Sequence, residues 1–372
     1  MSYLWILRYS FLSPLFTVST TTTSFFYFMS SLFLDTLAGY RTRRPPFWFM
    51  RQAGRYLPEY RALRRKTDGF LNLCLDSKLA CEVTLQPISR FEPDAAILFS
   101  DILIVPYGLG MGVDFVEGKG PILDAIADSS DIKRLKPKQH KARIEATYKT
   151  VSLCRDKLSQ DKALIGFAGS PWTVVTYMIE GGSSKNYAKV KNWAYKDEQS
   201  FNSLINIVTT ATIDHLSAQI DHGADAVKLF DSWAGVLSPN QFAKWVIKPT
   251  KDIVQALNMK HPTVKVIGFP KGSGHQYIDY VNKTGIDAVA LDTSIVPSWA
   301  AKAFKKTVVI QGNLDPVTLL VGGESMLREA TTIIEDMKER PHIFNLGHGV
   351  LPETPPENVE YLANFLRNFG EG

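Results

Sequence analysis

The chain has 372 residues, 45% of them hydrophobic and 21% charged, which excludes a disordered or fibrous protein. Its 42 basic and 37 acidic residues leave a net charge of +5, too slight for a nucleic-acid coat and better suited to a local basic site for a small anion. The length could hold two average domains, but one α/β barrel often takes it all.

Residues 1–34 differ from the rest. They include the tract STTTTS and carry Arg8 as their single charge. The segment reads as an N-terminal extension: a targeting peptide, a poor signal anchor, or upstream sequence before a start at Met29, the last preferred. Residues 35–372 are expected to form the folded domain. No apolar run there is long and clean enough to span a bilayer, so no stable membrane association is expected. The three cysteines, Cys74, Cys81 and Cys154, show no CxxC spacing, which suggests a reducing compartment. Cytoplasm is the default location, and a plastid the alternative if the extension is a cleaved transit peptide.

From Phe47 onward a short apolar run repeatedly ends in a polar residue or glycine, and a helical stretch generally follows. The runs are FWFM (47–50), AAILFS (95–100), LIGFAG (164–169), AVKLFD (226–231), VKVIGF (264–269), AVALD (288–292), VVIQG (308–312) and HIFNLG (342–347). Continuous apolar runs suit parallel strands buried on both faces. About eight βα units predict a single (β/α)8 barrel, the TIM-barrel architecture, with a doubly wound sheet as an alternative that explains fewer runs. Pro58 and Pro239 suit helix first turns, the latter after Ser238 as a candidate N-cap, and Gly223 is placed to stop the helical segment SLINIVTTATIDHLSAQIDHGA.

In such a barrel the site lies at the C-terminal ends of the strands. The residues there are Arg51 and Arg55, Asp101, Trp172 and Tyr177, Asp231 and Ser232, Lys271 and His275, Asp292, Asn313 and Asp315, and His348. The set is rich in cations and hydrogen-bonding groups and would suit a ligand with several carboxylates. Arg51 and Arg55, at the first strand exit, form a candidate carboxylate clamp, whereas Arg61, Arg65 and Lys66 read as a solvated basic helix face. Asp101 is expected to be partly desolvated: it either pairs structurally with an arginine or receives N–H donors from a ligand and stabilises positive charge. His348, between glycines in NLGHGV, is accessible; Trp172 is a default core aromatic, with the Tyr177 hydroxyl free for a ligand. FPKGSGH reads as a flexible loop or a weak phosphate cradle. No HExxH, GxGxxG, P-loop or His-x-Cys pattern is present.

PPFWFMRQAGRYLPEY and GFAGSPWTVVTYMIEGG, supported by FSDILIVPYGLGM, QGNLDP and NLGHG, together resemble the uroporphyrinogen decarboxylase family of the haem and chlorophyll pathway, over nearly all of residues 40–368. The resemblance implies a single-domain barrel, a homodimer with facing clefts, and cofactor-free, metal-free loss of CO2 from four acetate arms of uroporphyrinogen. It implies that Arg51, Gln52 and Arg55 form the anion-binding motif and that Asp101 accepts the pyrrole N–H groups. Tyr177, Ser232 and His348 would line the cleft. Trp233 and Lys271 lie in loops where the family pattern varies. The competing readings are a zinc-thiolate methyltransferase on the same barrel, a tetrapyrrole carrier without turnover, and a phosphate-handling barrel enzyme.

Overall fold

The computed structural model describes residues 31–116 and 118–370. The expectations for residues 1–28 lie outside them. Residues 31–34 belong to the packed structure, since the helix Leu32–Leu37 buries Phe33 completely.

Seven strands pair in parallel into one curled sheet: β1 (Ala95–Ile97), β4 (Ala163–Gly169), β5 (Ala226–Asp231), β6 (Lys265–Pro270), β7 (Ala288–Ala290), β8 (Val309–Gln311) and β9 (His342–Ile343). Each falls within or beside one of the apolar runs, and every residue but Lys265 is buried, as parallel strands covered by helices require. The remaining strands, β2 (Val113–Val116) and β3 (Gly120–Leu123), form an antiparallel hairpin after β1.

The first run does not form a strand of its own. Phe47 makes an isolated parallel bridge to Phe344, beyond β9. On its other side its carbonyl accepts from Asp94 N, next to β1, at 2.9 Å. Residue 47 thus bonds beside both edges of the sheet. Side chains take the N–H groups that a strand ladder would use: Asp94 Oδ2 accepts from Phe47 N at 2.8 Å, Gln52 Oε1 from Phe49 N at 3.1 Å, and Asn345 Oδ1 from Met50 N at 3.0 Å. Asp94 is itself gripped by both Nη groups of Arg44 at 2.8 Å, a buried bidentate pair that fixes this segment against β1.

Helices cover the sheet's outer face. Pro58 and Pro239 start the helices Pro58–Arg64 and Pro239–Phe242 at N1, where a missing N–H costs nothing. The long helix Glu198–Asp221 ends before Gly223, whose φ of +109° a side chain would disfavour. Among the described residues no helix is long and apolar enough to cross a membrane.

Candidate active site

A cavity of about 1120 Å³ opens where the strands end. Arg51, Arg55, Asp101, Tyr177 and Ser232 all line it. Each is aimed by a local device. Arg51 adopts φ +63°, a left-handed conformation that costs a non-glycine residue roughly 1 kcal/mol or more and persists only where its neighbours are pinned. They are: Met50 N donates to Asn345, Met50 O accepts from Val350 N at 2.8 Å, and Gln52 N donates to Phe49 O at 2.8 Å. Asp101 ends the segment after β1, and its Oδ1 accepts from Leu103 N at 2.8 Å, closing the turn into the helix Ile104–Gly108. Tyr177 projects from the helix Pro171–Glu180, begun by Pro171 and ended at Gly181 in the left-handed region. Ser232 follows β5, in a turn held by Trp233 N donating to Thr173 Oγ1 at 3.0 Å.

The site is electrically unbalanced. Among the described residues, Arg51, Arg55, Arg64, Arg65 and Lys119 face the cavity, against Asp101 as the one lining acid. Burial raises the Asp101 pKa above the ordinary carboxylate value, opposed by the Leu103 N–H and the Arg51 charge. Burial lowers Arg51, and the Asp101 charge opposes it. Burial, then the Asp101 charge, raises the Tyr177 phenol, which therefore stays protonated and can donate. Among the described residues, the Arg51 and Arg55 guanidiniums make no hydrogen bond or ion pair, so both are available to a ligand.

His348 lies beside the cavity near Arg51 but is not part of its wall. Burial, then Lys271 and Arg51, holds its pKa down to about 4, so the ring is neutral. Its Nδ1 accepts from Gly349 N at 2.7 Å, which leaves Nε2 as the protonated, donating nitrogen. Gln52 is not brought to the cavity. It is 1% exposed, and its amide is used by the fold, accepting from Phe49 N and donating to Ala95 O at 3.1 Å.

Several strand-end residues have structural jobs. Trp172 is fully buried, with Nε1 donating to the Trp233 carbonyl at 2.9 Å. Asp292 accepts from Gly272 N, Tyr277 and Ser294, Asn313 donates to two carbonyls, and Asp315 caps a helix through Val317 N. Arg61 is likewise used internally, donating to the carbonyls of Arg55 and Tyr56 at 2.8 and 2.9 Å.

The sequence reading missed three groups. Arg65, assigned there to a solvated helix face, lines the cavity with Arg64. Lys119 and Phe115 reach it from the hairpin, whose GKG turn was the available signal. Phe99, Phe167 and Phe230 supply an aromatic wall, and each sits inside or next to a strand run, where it looked like ordinary core. Among the described residues no three His, Cys, Asp or Glu side chains converge as a metal site, and all three thiols are buried.

Fold and site together define an α/β protein with a large cationic cavity at the strand ends, suited to a polyanionic ligand with an apolar body. The family model for uroporphyrinogen decarboxylase (URO-D) matches residues 29–369, and the chain belongs to that family. It is 48% identical to the uroporphyrinogen decarboxylase of Rhodospirillum rubrum over 335 residues, covering 90% of this chain and 96% of that one. It is also 48% identical to that of Granulibacter bethesdensis over 342 residues, covering 91% and 99%. Among solved structures, a methyltransferase from Methanosarcina mazei superposes with a TM-score of 0.77 at 18% identity, covering 92% of this chain and 98% of the other; at that identity the likeness concerns the fold alone.

Proposed function

We propose that this chain is a uroporphyrinogen decarboxylase that removes CO2 from the four acetate arms of uroporphyrinogen III, giving coproporphyrinogen III. The observation that carries the reading is the cavity's charge pattern among the described residues: five cations around one desolvated carboxylate, with a phenylalanine wall. Its volume lies just above the usual range for small-molecule sites, as a ligand of tetrapyrrole size requires. Family membership and relatives nearly half identical over their whole length support the same activity.

For each arm, CH2–COO⁻ and one proton become CH3 and CO2. A proton added to the pyrrole ring makes the ring the electron sink. The bond to the carboxylate then breaks towards the ring, CO2 leaves, and the exocyclic methylene takes a proton as the ring proton is lost. Asp101 accepts the pyrrole N–H groups and stabilises the cationic ring. A negative group in a dry, preorganised site serves that purpose better than one in water. Arg51 and Arg55 hold substrate carboxylates, and one of the two relays the proton through water. Tyr177 and Ser232 donate from the wall, and neutral His348 donates from Nε2.

The eighth strand of a closed (β/α)8 barrel is the Phe47 segment, a reading supported by its bonds beside both edges of the sheet. The active form is a homodimer, for which exposed Val296, Trp299, Val317 and Val321 on neighbouring helical segments are available. Three free thiols favour a cytoplasmic setting.

The test is an anaerobic incubation of chelator-treated protein with uroporphyrinogen and no added cofactor, following the carboxylate count of the products. Stepwise descent from eight carboxylates to four is expected. No descent by folded protein would favour the carrier or the methyltransferase reading, and metal analysis of the purified protein would choose between them.

A further inference from the structure

Lys228 is the third residue of β5 and is 1% exposed. Strand alternation puts Phe230 on the same face two residues on, and Phe230 lines the cavity, so the amine lies one layer beneath the floor. Its Nζ is 4.9 Å from the ring centroids of Trp48 and Phe230 and 5.1 Å from that of Phe269. Among the described residues it makes no hydrogen bond and no ion pair. Three aromatic faces attract an ammonium but do not neutralise it. A buried charge normally has a carboxylate partner, and here none is supplied from within.

The charged and titratable groups facing this region are few. His348 feels the Lys228 charge from the loop after β9, Lys271 follows β6, and Arg51 and Asp101 lie above on the cavity wall. Asp231, next along the strand from Phe230 and so on the opposite face from Lys228, accepts from Thr173 Oγ1 at 2.5 Å through Oδ1. Its Oδ2 has no partner among the described residues, and burial raises its carboxyl to about 7; it is retained in every variant, so its protons cancel in the comparison. The packed aromatic neighbours Trp48, Phe230 and Phe269 carry no charge. Burial alone brings the amine down to about 7, so it exchanges its proton in the working range.

We infer that Lys228 is a positioning residue whose ammonium takes its counter-charge from the bound polycarboxylate, so that ligand binding and protonation of this amine are coupled across Phe230. The inference rests on the polycarboxylate reading of the cavity. Carboxylates bound above the floor raise the affinity of the amine for its proton, and the protonated amine in turn strengthens their binding by the same factor.

The probe is uroporphyrin, the oxidised octacarboxylate tetrapyrrole. Its binding is measured at pH 7 to 9 by calorimetry in two buffers of different ionisation enthalpy, on wild type, Lys228→Met and Lys228→Gln, with folding checked by circular dichroism; the Gln variant serves if the Met variant misfolds. Wild type is expected to take up to one proton more per site than either variant near pH 8, where His348 is already neutral. Its affinity should fall by up to tenfold per pH unit over that range while the variants change less. Equal proton uptake and equal pH dependence in wild type and folded variants would overturn the role of Lys228 and leave the polycarboxylate site standing. Failure of wild type to bind uroporphyrin would overturn the polycarboxylate reading, and this inference with it.

Discussion

The side chain of Arg51 crosses Gly349 so closely that a β-carbon at position 349 would lie 2.3 Å from Arg51 Cδ and 2.6 Å from Cγ. The N–H of the same glycine fixes the His348 tautomer. One residue therefore sets the aim of two site groups, one by having no side chain and one by its backbone. Gly349→Ala must push Arg51 at its stem, where the chain has least freedom. The expected result is a loss of about 10² in kcat, in keeping with misplacement of a group by about 1 Å. Thermal unfolding should change little. Unchanged steady-state kinetics in this variant would show that the Arg51 position is not used.

Asp101→Asn keeps the shape and can still accept from Leu103 N, but it removes the charge. Loss of one such electrostatic group typically costs ~3 to 4 kcal/mol of transition-state stabilisation, so kcat should fall by roughly 10² to 10³. The wild-type Asp101 pKa is raised by burial, so the folded state holds this proton to higher pH than the unfolded chain does. Stability from this site is therefore present at low pH and lost as pH rises through the folded pKa. Asp101→Asn should be the more stable protein at pH 7 and the less active one. Lower stability of the variant at neutral pH, measured by denaturant unfolding, would contradict the desolvation argument.

The parallel sheet was legible because burial on both faces writes an unbroken apolar run, and seven of eight runs hold a strand. FWFM has the same composition but not the same bonds. Asp94, Gln52 and Asn345 lie 47, 3 and 295 residues from the N–H groups they satisfy, and no local pattern shows a side chain replacing a ladder. The hairpin was missed because β2 alternates between half-buried and exposed and β3 buries only Leu123, so neither forms a buried run. At the site, Arg51, Arg55 and Asp101 stood out as charges directly after apolar runs. Gln52 stood beside them and was read with them, although it faces the opposite way. Adjacent residues at a strand exit point to different sides, and that orientation is set by the fold.

Gln52→Ala follows from that difference. Both amide groups are buried against backbone, so truncation strands the Phe49 N–H and the Ala95 carbonyl. At roughly 1 to 3 kcal/mol for each unsatisfied buried group, a loss of about 2 to 6 kcal/mol is expected in denaturant unfolding. KM under conditions where the variant stays folded should change less than in Arg55→Ala. A stability near wild type with a raised KM would mean that Gln52 serves the ligand rather than the fold.

Arg65 separates long-range attraction from contact. It lines the cavity and is exposed, as is Lys119, and it makes no hydrogen bond or ion pair with Asp101 among the described residues. Arg65→Ala should raise KM several-fold at low ionic strength and leave kcat within about twofold. The difference should shrink as salt rises to 0.5 M, because exposed charges are screened over about 10 Å at 0.1 M and less above it. A KM effect that persists unchanged in high salt would indicate a direct bidentate contact.

Lys228 makes a stability prediction that is independent of any ligand. Its folded pKa of about 7 lies below the ordinary lysine value of 10.5. Between these values the unfolded chain binds more protons than the folded one, so stability rises with pH across this window. The cost is complete below pH 7, where the folded protein must hold a buried ammonium, and it is relieved as pH approaches 10.5. The gap corresponds to at most about 5 kcal/mol, reduced by the three aromatic faces and by local relaxation. Lys228→Met should therefore be more stable than wild type at pH 6 by a few kcal/mol, and the advantage should shrink steadily towards pH 10. Chemical denaturation of both proteins at four pH values between 6 and 10 measures this directly. A pH-independent difference would mean that the amine is charged, or uncharged, equally in both states, and would remove the buried titration on which its coupling to a ligand depends.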